Sequence, residues 1–185
     1  MTSDLSIIFR ALEFAARKHR DQRRKDTDAT PYINHPIELA ALLVNDGGVT
    51  DTRVLAAAIL HDTVEDTETT ARELEDLFGF EIANIVLEVT DDKRLSKAER
   101  KRLQVENAAH CSEPAKLVKL ADKICNLRDM GGNPPANWSL DRKQEYFDWA
   151  AEVVFQIRGV NARLEAQFDQ VLRLRPESGQ TDSQG

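Results

Sequence analysis

Apolar residues recur along this chain with the three- and four-residue spacing of amphipathic α-helices. Leu5, Ile8 and Leu12 begin the first such stretch and place one apolar face along it. No segment shows convincing alternation of apolar and polar residues, which is the pattern of a half-buried strand. The pattern therefore predicts an all-α fold, a helical bundle with room for one short β-hairpin near Gly47–Gly48.

Turn and capping residues divide the chain into a series of predicted helices. Their approximate ranges are 5–16, 36–46, 52–63, 70–78, 81–89, 96–109, 114–130 and 141–174. Pro36 is expected at the first position of its helix, and Pro114 opens another, because proline lacks an N–H that a first turn leaves unpaired. Ser96 and Glu99 form a capping box. Loops are expected at 26–31 and 131–135, and Gly159 is expected to bend the last helix.

The length of 185 residues fits one domain, which we expect to span residues 1–175. Residues 176–185 are polar and rich in turn formers, so they are predicted to be a mobile C-terminal tail. The longest apolar run, Val54–Leu60, is too short to cross a bilayer. Two cysteines give neither a disulfide framework nor a zinc spacing. We therefore expect a cytoplasmic protein without a membrane partner.

Charge is distributed unevenly along the sequence. The net charge of −7 argues against a nucleic-acid partner. Residues 17–25 nevertheless hold six Lys or Arg and one Asp, whereas residues 61–81 hold eight acidic residues and one Arg. An acidic protein with one concentrated basic segment can bind a phosphorylated small molecule there. His19, inside that segment, and His110 lack a partner pattern and are interpreted as surface residues.

Two histidines and two aspartates are candidate metal ligands: His35, His61, Asp62 and Asp122. Each has an ordinary structural explanation as a helix cap, a helix end or a surface residue. Together they are harder to dismiss, because a His-Asp pair ends an apolar helix where ionised groups are costly unless paired or metal-bound. The mixed N/O set suits one divalent first-row metal with open positions for water.

Carboxylates near these residues are candidates for the chemistry itself. Glu65 and Asp66 follow one turn after the His-Asp pair, where they are either a solvated acidic loop or a pair beside the metal water. A metal lowers the pKa of water, and a carboxylate can orient that water or take its proton. Asp122 and Asn126 are four residues apart and share one helix face, which suits the wall of a site.

Arg24 and Lys25 are the strongest candidates for phosphate contacts, since they lie ten residues before the first histidine ligand and can fold back towards it. Arg can also stack on a base plane through its guanidinium. A solvated helix end is the usual alternative for such a basic run. Lys97, Lys101 and Arg102 are weaker candidates, because charged helices of this kind are usually plain surface.

Three segments give the sequence a specific resemblance. They are QRRKDTDATPYINHP at 22–36, AAAILHDTVEDT at 56–67 and KLVKLADKICNLRDM at 116–130. They resemble the HD-domain hydrolase half of RelA/SpoT enzymes, and most of all its stand-alone forms, the metazoan SpoT homologue and the bacterial small alarmone hydrolases. VTDDK at 89–93, ERKRLQVE at 99–106 and QEYFDWAAEVV at 144–154 extend this resemblance over nearly the whole chain.

The resemblance implies an HD fold and hydrolysis of the 3′-pyrophosphate of guanosine 3′,5′-bis(diphosphate) and of its pentaphosphate relative, with Mn²⁺ as the usual metal. By position, the metal ligands would be His35, His61, Asp62 and Asp122. The catalytic acidic pair would be Glu65 and Asp66. The substrate contacts would be Arg24 on guanine, then Lys25 and Asn126, with Arg142 and Tyr146 on the substrate side.

Two alternatives remain open at the level of sequence. The first is an HD phosphohydrolase acting on another nucleotide, chiefly NADPH, whose 2′-phosphate the metazoan relatives also remove. The second is a nucleotide-binding module with a decayed site, against which the intact ligand set and acidic pair argue. The sequence does not reveal the oligomeric state.

Overall fold

The computed structural model describes residues 4–177, and its regular structure is helical. The helices are α1 (Asp4–Lys18), α2 (Asn34–Asn45), α3 (Thr52–Leu60), α4 (Thr63–Asp66), α5 (Ala71–Phe78), α6 (Phe80–Val89), α7 (Lys97–Ala108), α8 (Glu113–Gly132), α9 (Leu140–Phe155) and α10 (Ala162–Leu172). The predicted all-α class is confirmed. Residues 4–177 contain no hairpin at Gly47–Gly48; their β contact is an isolated bridge between Arg23 and Pro31.

Helices α3 and α8 form the centre of the bundle. α3 packs against α1, α2, α6 and α8, and α8 also packs against α2, α6, α9 and α10. Three consecutive alanines of α3, residues 56–58, are fully buried, and their small side chains allow neighbouring helices to approach closely. The elements that carry the candidate site residues therefore rest directly on the core.

Capping side chains begin most of the helices. Ser96 Oγ accepts the Glu99 N–H at the start of α7, as the capping box predicts, and Asn161 Oδ1 accepts two N–H groups of α10. Such a cap contributes about 1 kcal/mol. α2 begins at Asn34, two residues earlier than predicted, and Pro36 is tolerated because the first turn has unpaired N–H groups in any case.

Three predicted helix boundaries are wrong. The range 52–63 is interrupted at His61 and Asp62, where Thr63 Oγ1 bonds the Leu60 carbonyl and a second short helix begins. α8 continues through 131–132, where Leu174 Cδ1 lies 2.9 Å from the position that a Cβ on Gly131 would take. The range 141–174 is two helices, because Gly159 adopts φ +96° and the chain turns there.

Three further expectations concern membrane crossing, the C-terminal tail and the domain boundary. Within residues 4–177, none of the helices combines the length and the apolar character that a membrane crossing requires. Of the predicted tail, residues 178–185 lie outside the described residues. The predicted domain boundary at residue 175 stays a prediction.

Candidate active site

The four predicted metal ligands converge from three helical elements. His35 lies on α2, His61 and Asp62 form the turn between α3 and α4, and Asp122 lies on α8. His35 Nε2 is 3.2 Å from Asp122 Oδ1, and His61 Nε2 is 2.8 Å from Asp62 Oδ2. His61 Nε2 is also 3.9 Å from Asp122 Oδ1. We call these four residues the His/Asp cluster.

The donor atoms of this cluster suit a divalent cation. One ligand atom from each of His35, His61 and Asp62 lies within 4.8 Å of the others, and Asp122 adjoins this set through Oδ1. His61 Nδ1 is 2.8 Å from the Ala58 carbonyl, to which it donates when protonated, and this leaves Nε2 with a free lone pair. Nε2 is buried and, although it lies 2.8 Å from Asp62 Oδ2, it makes no well-aligned hydrogen bond within residues 4–177. A second partner that fixes the imidazole orientation is usual for metal-ligating histidines.

Burial and mutual charge shift the pKa values inside the cluster in opposite directions. Burial alone would lower the pKa of His61, but the charges of Asp62 and Asp122 outweigh it and raise the pKa to about 9. Burial alone would raise the pKa of Asp62, and the neighbouring His61 reverses that shift and lowers it. The carboxylates therefore stay ionised, which is the form that binds a metal, whereas His61 has to release its Nε2 proton before that nitrogen can be a ligand.

Tyr32 supports the cluster from the loop before α2, and sequence reasoning did not identify it. Its hydroxyl donates a hydrogen bond to Asp62 Oδ2. Its ring stacks on His19, with ring centroids 4.8 Å apart. The interpretation of His19 as a surface residue is wrong: it is 1% exposed, and its Nδ1 lies 2.6 Å from Gln22 Oε1. The position of Tyr32, three residues before His35, was the available signal.

Glu65 and Asp66 face the same cavity as the cluster but differ in their environments. Burial raises the pKa of Glu65 to about 7, although the Asp91 N–H that Oε2 accepts at 3.0 Å opposes the shift. Arg100 Nη1 is 3.5 Å from Glu65 Oε1. The Asp66 carboxylate pairs with Lys93 instead. A carboxyl with a pKa near neutrality can exchange a proton at physiological pH.

A chain of polar contacts joins the cluster to the basic segment. Asn126 Nδ2 donates to Asp122 Oδ1 at 2.6 Å, and Asn126 Oδ1 accepts from Arg24 Nη2 at 2.9 Å. The same Arg24 nitrogen is 2.5 Å from Asp129 Oδ2, and the guanidinium lies 5.8 Å from the centroid of the Tyr32 ring. Arg24 therefore reaches the site as its position in the sequence suggested, held by α8.

Two adjoining cavities form one continuous cleft. The first, about 420 Å³, is lined by the His/Asp cluster together with Glu65. The second, about 340 Å³, extends to half-buried residues of the α8–α9 connection and to α9. Residues that line both are Arg24, Lys25, Tyr32, Asp66, Asn126 and Tyr146. Cavities of this size hold small-molecule ligands.

One part of the wall of the second cavity is formed by cations around an indole ring. Arg24, Lys25, Lys97 and Arg142 line it with Trp138, and we call these five residues the cationic end. The Arg142 guanidinium lies 4.1 Å from the centroid of the Trp138 ring, and the Lys97 ammonium 5.7 Å from it. Sequence reasoning missed Trp138, whose only signal is an isolated aromatic residue in a loop.

Lys101 and Arg102, the weaker basic candidates, lie in different environments. Lys101 lies over the rings of Trp149 and Tyr146, at 4.9 and 5.7 Å from their centroids, and burial lowers its pKa. Arg102 is on the surface and pairs with Glu99 and Glu106 of its own helix. Of the predicted substrate contacts, Arg142 lines the second cavity and Tyr146 lies between the two.

Comparison with known proteins identifies the family to which this chain belongs. The model of the HD domain matches residues 11–148, which is more than half of the chain. The chain belongs to the HD-domain family. That match and the His/Asp cluster together indicate a divalent metal site, in agreement with the donor set described above. The HD fold stated as an expectation from the sequence is confirmed.

Several HD-domain relatives match over nearly their whole length. A Xenopus tropicalis protein named guanosine-3′,5′-bis(diphosphate) 3′-pyrophosphohydrolase MESH1 is 60% identical over 169 residues, 91% of this chain and 94% of the relative. The Homo sapiens protein of that name is 55% identical over 175 residues, 95% of this chain and 98% of the relative.

A solved HD-domain structure agrees with the sequence relatives. It is described as a metazoan ortholog of SpoT that hydrolyses ppGpp and plays a role in starvation responses. It superposes with a TM-score of 0.89 at 50% identity, covering 92% of this chain and 96% of that chain. The resemblance inferred from the sequence motifs is confirmed by these matches.

Proposed function

We propose that this chain is a guanosine-3′,5′-bis(diphosphate) 3′-pyrophosphohydrolase that also accepts the pentaphosphate relative. The observation that carries this proposal is the near-full-length similarity, at 55–60% identity, to proteins named for that reaction. The cleft supports it, because a His/Asp cluster suited to a metal and a cationic end suited to phosphates lie in adjoining cavities. Degradation of the alarmone is the biological meaning of this reaction.

The reaction joins water to the phosphorus that carries the 3′ oxygen. The new P–O bond forms as the bond from phosphorus to the ribose 3′ oxygen breaks, and that oxygen takes a proton from solvent, which releases pyrophosphate and guanosine 5′-diphosphate. Glu65 is the proposed acceptor of the proton lost by water, since burial brings the pKa of its carboxyl near neutrality. Asp66 lines both cavities and pairs with Lys93, which lines the cavity of the His/Asp cluster.

His35, His61, Asp62 and Asp122 would hold the metal, for which we propose a single Mn²⁺ ion. Ligand type and metal availability favour Mn²⁺ in such an N/O site, whereas raw affinity favours Zn²⁺ or Cu²⁺. When bound, the ion would supply a Lewis acid for the phosphoryl oxygens and would lower the pKa of nearby water. Tyr32 would keep Asp62 oriented towards it.

Arg24, Lys25, Asn126, Arg142 and Tyr146 are the proposed substrate contacts. Arg24 offers a planar guanidinium for stacking on guanine and charge for phosphate oxygens. Asn126 is positioned between Arg24 and the cluster, where its amide can reach a ribose hydroxyl. Lys25 and Arg142 are exposed and add charge at the cationic end.

We further propose that residues 1–175 act as one hydrolase domain in the cytoplasm on a small-molecule nucleotide, without a nucleic-acid or membrane partner. The net charge of −7 supports the absence of a nucleic-acid partner, since phosphate backbones are bound through clustered positive charge. The last three cations of the basic segment, Arg23, Arg24 and Lys25, line a cavity of small-molecule size instead.

The proposal is tested by measuring kcat/KM for the bis(diphosphate) and for NADPH on one Mn²⁺-loaded preparation. The bis(diphosphate) carries more charge, so the cationic end should favour it and NADPH dephosphorylation should be slower. Chelation should abolish both activities, and Mn²⁺ should restore them. A higher kcat/KM for NADPH would overturn the substrate assignment, and full turnover in a metal-free preparation would overturn the metal assignment.

A further inference from the structure

Two buried lysines lie one turn apart on α8 and line the 420 Å³ cavity. Lys119 is 8% exposed and Lys123 is 4% exposed. Lys123 Nζ is 2.9 Å from Asp122 Oδ2, so its charge is neutralised by a member of the His/Asp cluster. Within residues 4–177, the ammonium of Lys119 has neither a hydrogen bond nor an ion pair.

Arg100 of α7 brings another incompletely paired cation to the same cavity. Its Nη1 is 3.5 Å from Glu65 Oε1, while its Nε is buried and makes no hydrogen bond within residues 4–177. A guanidinium has five N–H donors, so most of those of Arg100 remain available for an acceptor. Neither Arg100 nor Lys119 lines the cavity of the cationic end.

Lys119 is largely withdrawn from solvent and has no close counter-charge, so an anion that binds in the cavity is its chemical complement. We propose that Lys119 and Arg100 form a subsite for the terminal phosphate of the 3′-pyrophosphoryl group. This inference rests on the proposed function. The subsite would let the protein distinguish a pyrophosphate ester from a phosphate monoester. A monoester places its phosphate at the His/Asp cluster and has no second phosphate for this subsite.

The subsite takes no part in bond making. It holds the terminal phosphate while water attacks the neighbouring phosphorus, and the pyrophosphate product retains the same contacts until it leaves. Lys119 and Arg100 are therefore specificity-determining residues. Their effect should appear in the binding of pyrophosphate, with or without a nucleoside attached.

Lys119→Met tests this subsite, because methionine keeps the length and removes the charge. The dissociation constant of inorganic pyrophosphate, measured by calorimetry on Mn²⁺-loaded protein with equal Mn²⁺ in cell and syringe, should rise about ten- to a hundredfold. That of inorganic phosphate should change much less. Thermal stability should hold or increase, because an unpaired charge on a largely buried side chain is replaced by an apolar one. Arg100→Gln should show the same loss selective for pyrophosphate.

Lys116→Met is the matched control, since Lys116 is on the same helix and does not line the cavity. Unchanged pyrophosphate binding in Lys119→Met, or equal weakening of phosphate and pyrophosphate, would overturn the subsite. The proposed function fails separately: wild-type protein would then bind pyrophosphate through Lys119 and yet release none from the bis(diphosphate).

Discussion

The two ends of the cleft are built on different principles. Every residue of the His/Asp cluster sits on a helix or a tight turn beside the core, and both histidines are at most 5% exposed. The cationic end draws on the loop before α2, the first turn of α7, the α8–α9 connection and α9, and most of its side chains are exposed. Packing against the core holds the His/Asp cluster in place, whereas the cationic end consists mainly of charged side chains at the surface.

Because of this difference, we expect the His/Asp cluster to serve the chemical step and the cationic end to serve substrate affinity. Helix-borne ligands held by second partners keep their geometry, which the chemical step requires. Charges on exposed segments attract a polyanion in its ground and transition states alike, so they govern affinity. We therefore expect changes at the His/Asp cluster to act on metal content and kcat, and changes at the cationic end to act on KM.

Asp122→Ala should produce the largest effect, because it removes a ligand and frees Lys123 from its counter-charge. Metal affinity should fall by more than about 100-fold, the upper range for losing a mere supporting residue, and turnover should be lost with it. Metal content after gel filtration and kcat at saturating Mn²⁺ are the readouts. Asp76→Ala, an exposed carboxylate on α5, is the control. Retained stoichiometry would exclude Asp122 from the ligand set.

Glu65→Gln should separate chemistry from metal binding. We expect kcat to fall about 10²- to 10⁴-fold, as for loss of a general base, with metal content unchanged. Because burial raises the pKa of Glu65 to about 7, its carboxyl is protonated at lower pH, so wild-type kcat should fall as pH drops through about 7. This fall of kcat at low pH should be absent in Glu65→Gln.

Glu68→Gln is the control for that substitution, because Glu68 is 80% exposed and pairs with Lys18 outside the cavity. A variant of Glu65 that keeps kcat and raises only KM would show that this carboxylate binds substrate.

Sequence reasoning predicted the His/Asp cluster and the helices better than it predicted the cationic end. Ligand types and their spacing can be read from short segments, and apolar residues that recur every three or four positions indicate a helix directly. The roles assigned to individual site residues stay predictions. Trp138 was missed because its relation to Arg142 depends on how the α8–α9 connection folds. The bend expected at Gly159 is a helix break instead, because sequence alone does not show that Asn161 caps a new helix.

Arg24→Lys should have an intermediate effect, confined to KM. Lysine keeps the charge but loses the planar guanidinium, whose Nη2 donates to both Asn126 and Asp129. Loss of a charge-assisted hydrogen bond predicts a rise in KM of about tenfold or more for the guanine nucleotide. A simple pyrophosphate ester without a base should suffer less. Equal losses for both substrates would show that Arg24 acts only as a charge, and Arg20→Lys, outside the cleft, is the control.

Trp138→Ala should have the smallest effect and sharpens the comparison most. The ring lies under the Arg142 guanidinium at 4.1 Å, and a partly exposed cation–π contact contributes about 0.5–1 kcal/mol. Without the ring, Arg142 loses its preferred position, so KM should rise about two- to fivefold at unchanged kcat and metal content. Trp138→Phe keeps an aromatic face and should recover most of the affinity. A fall in kcat would mean that this exposed end also positions the reacting phosphorus, and the division of work between the two ends would not hold.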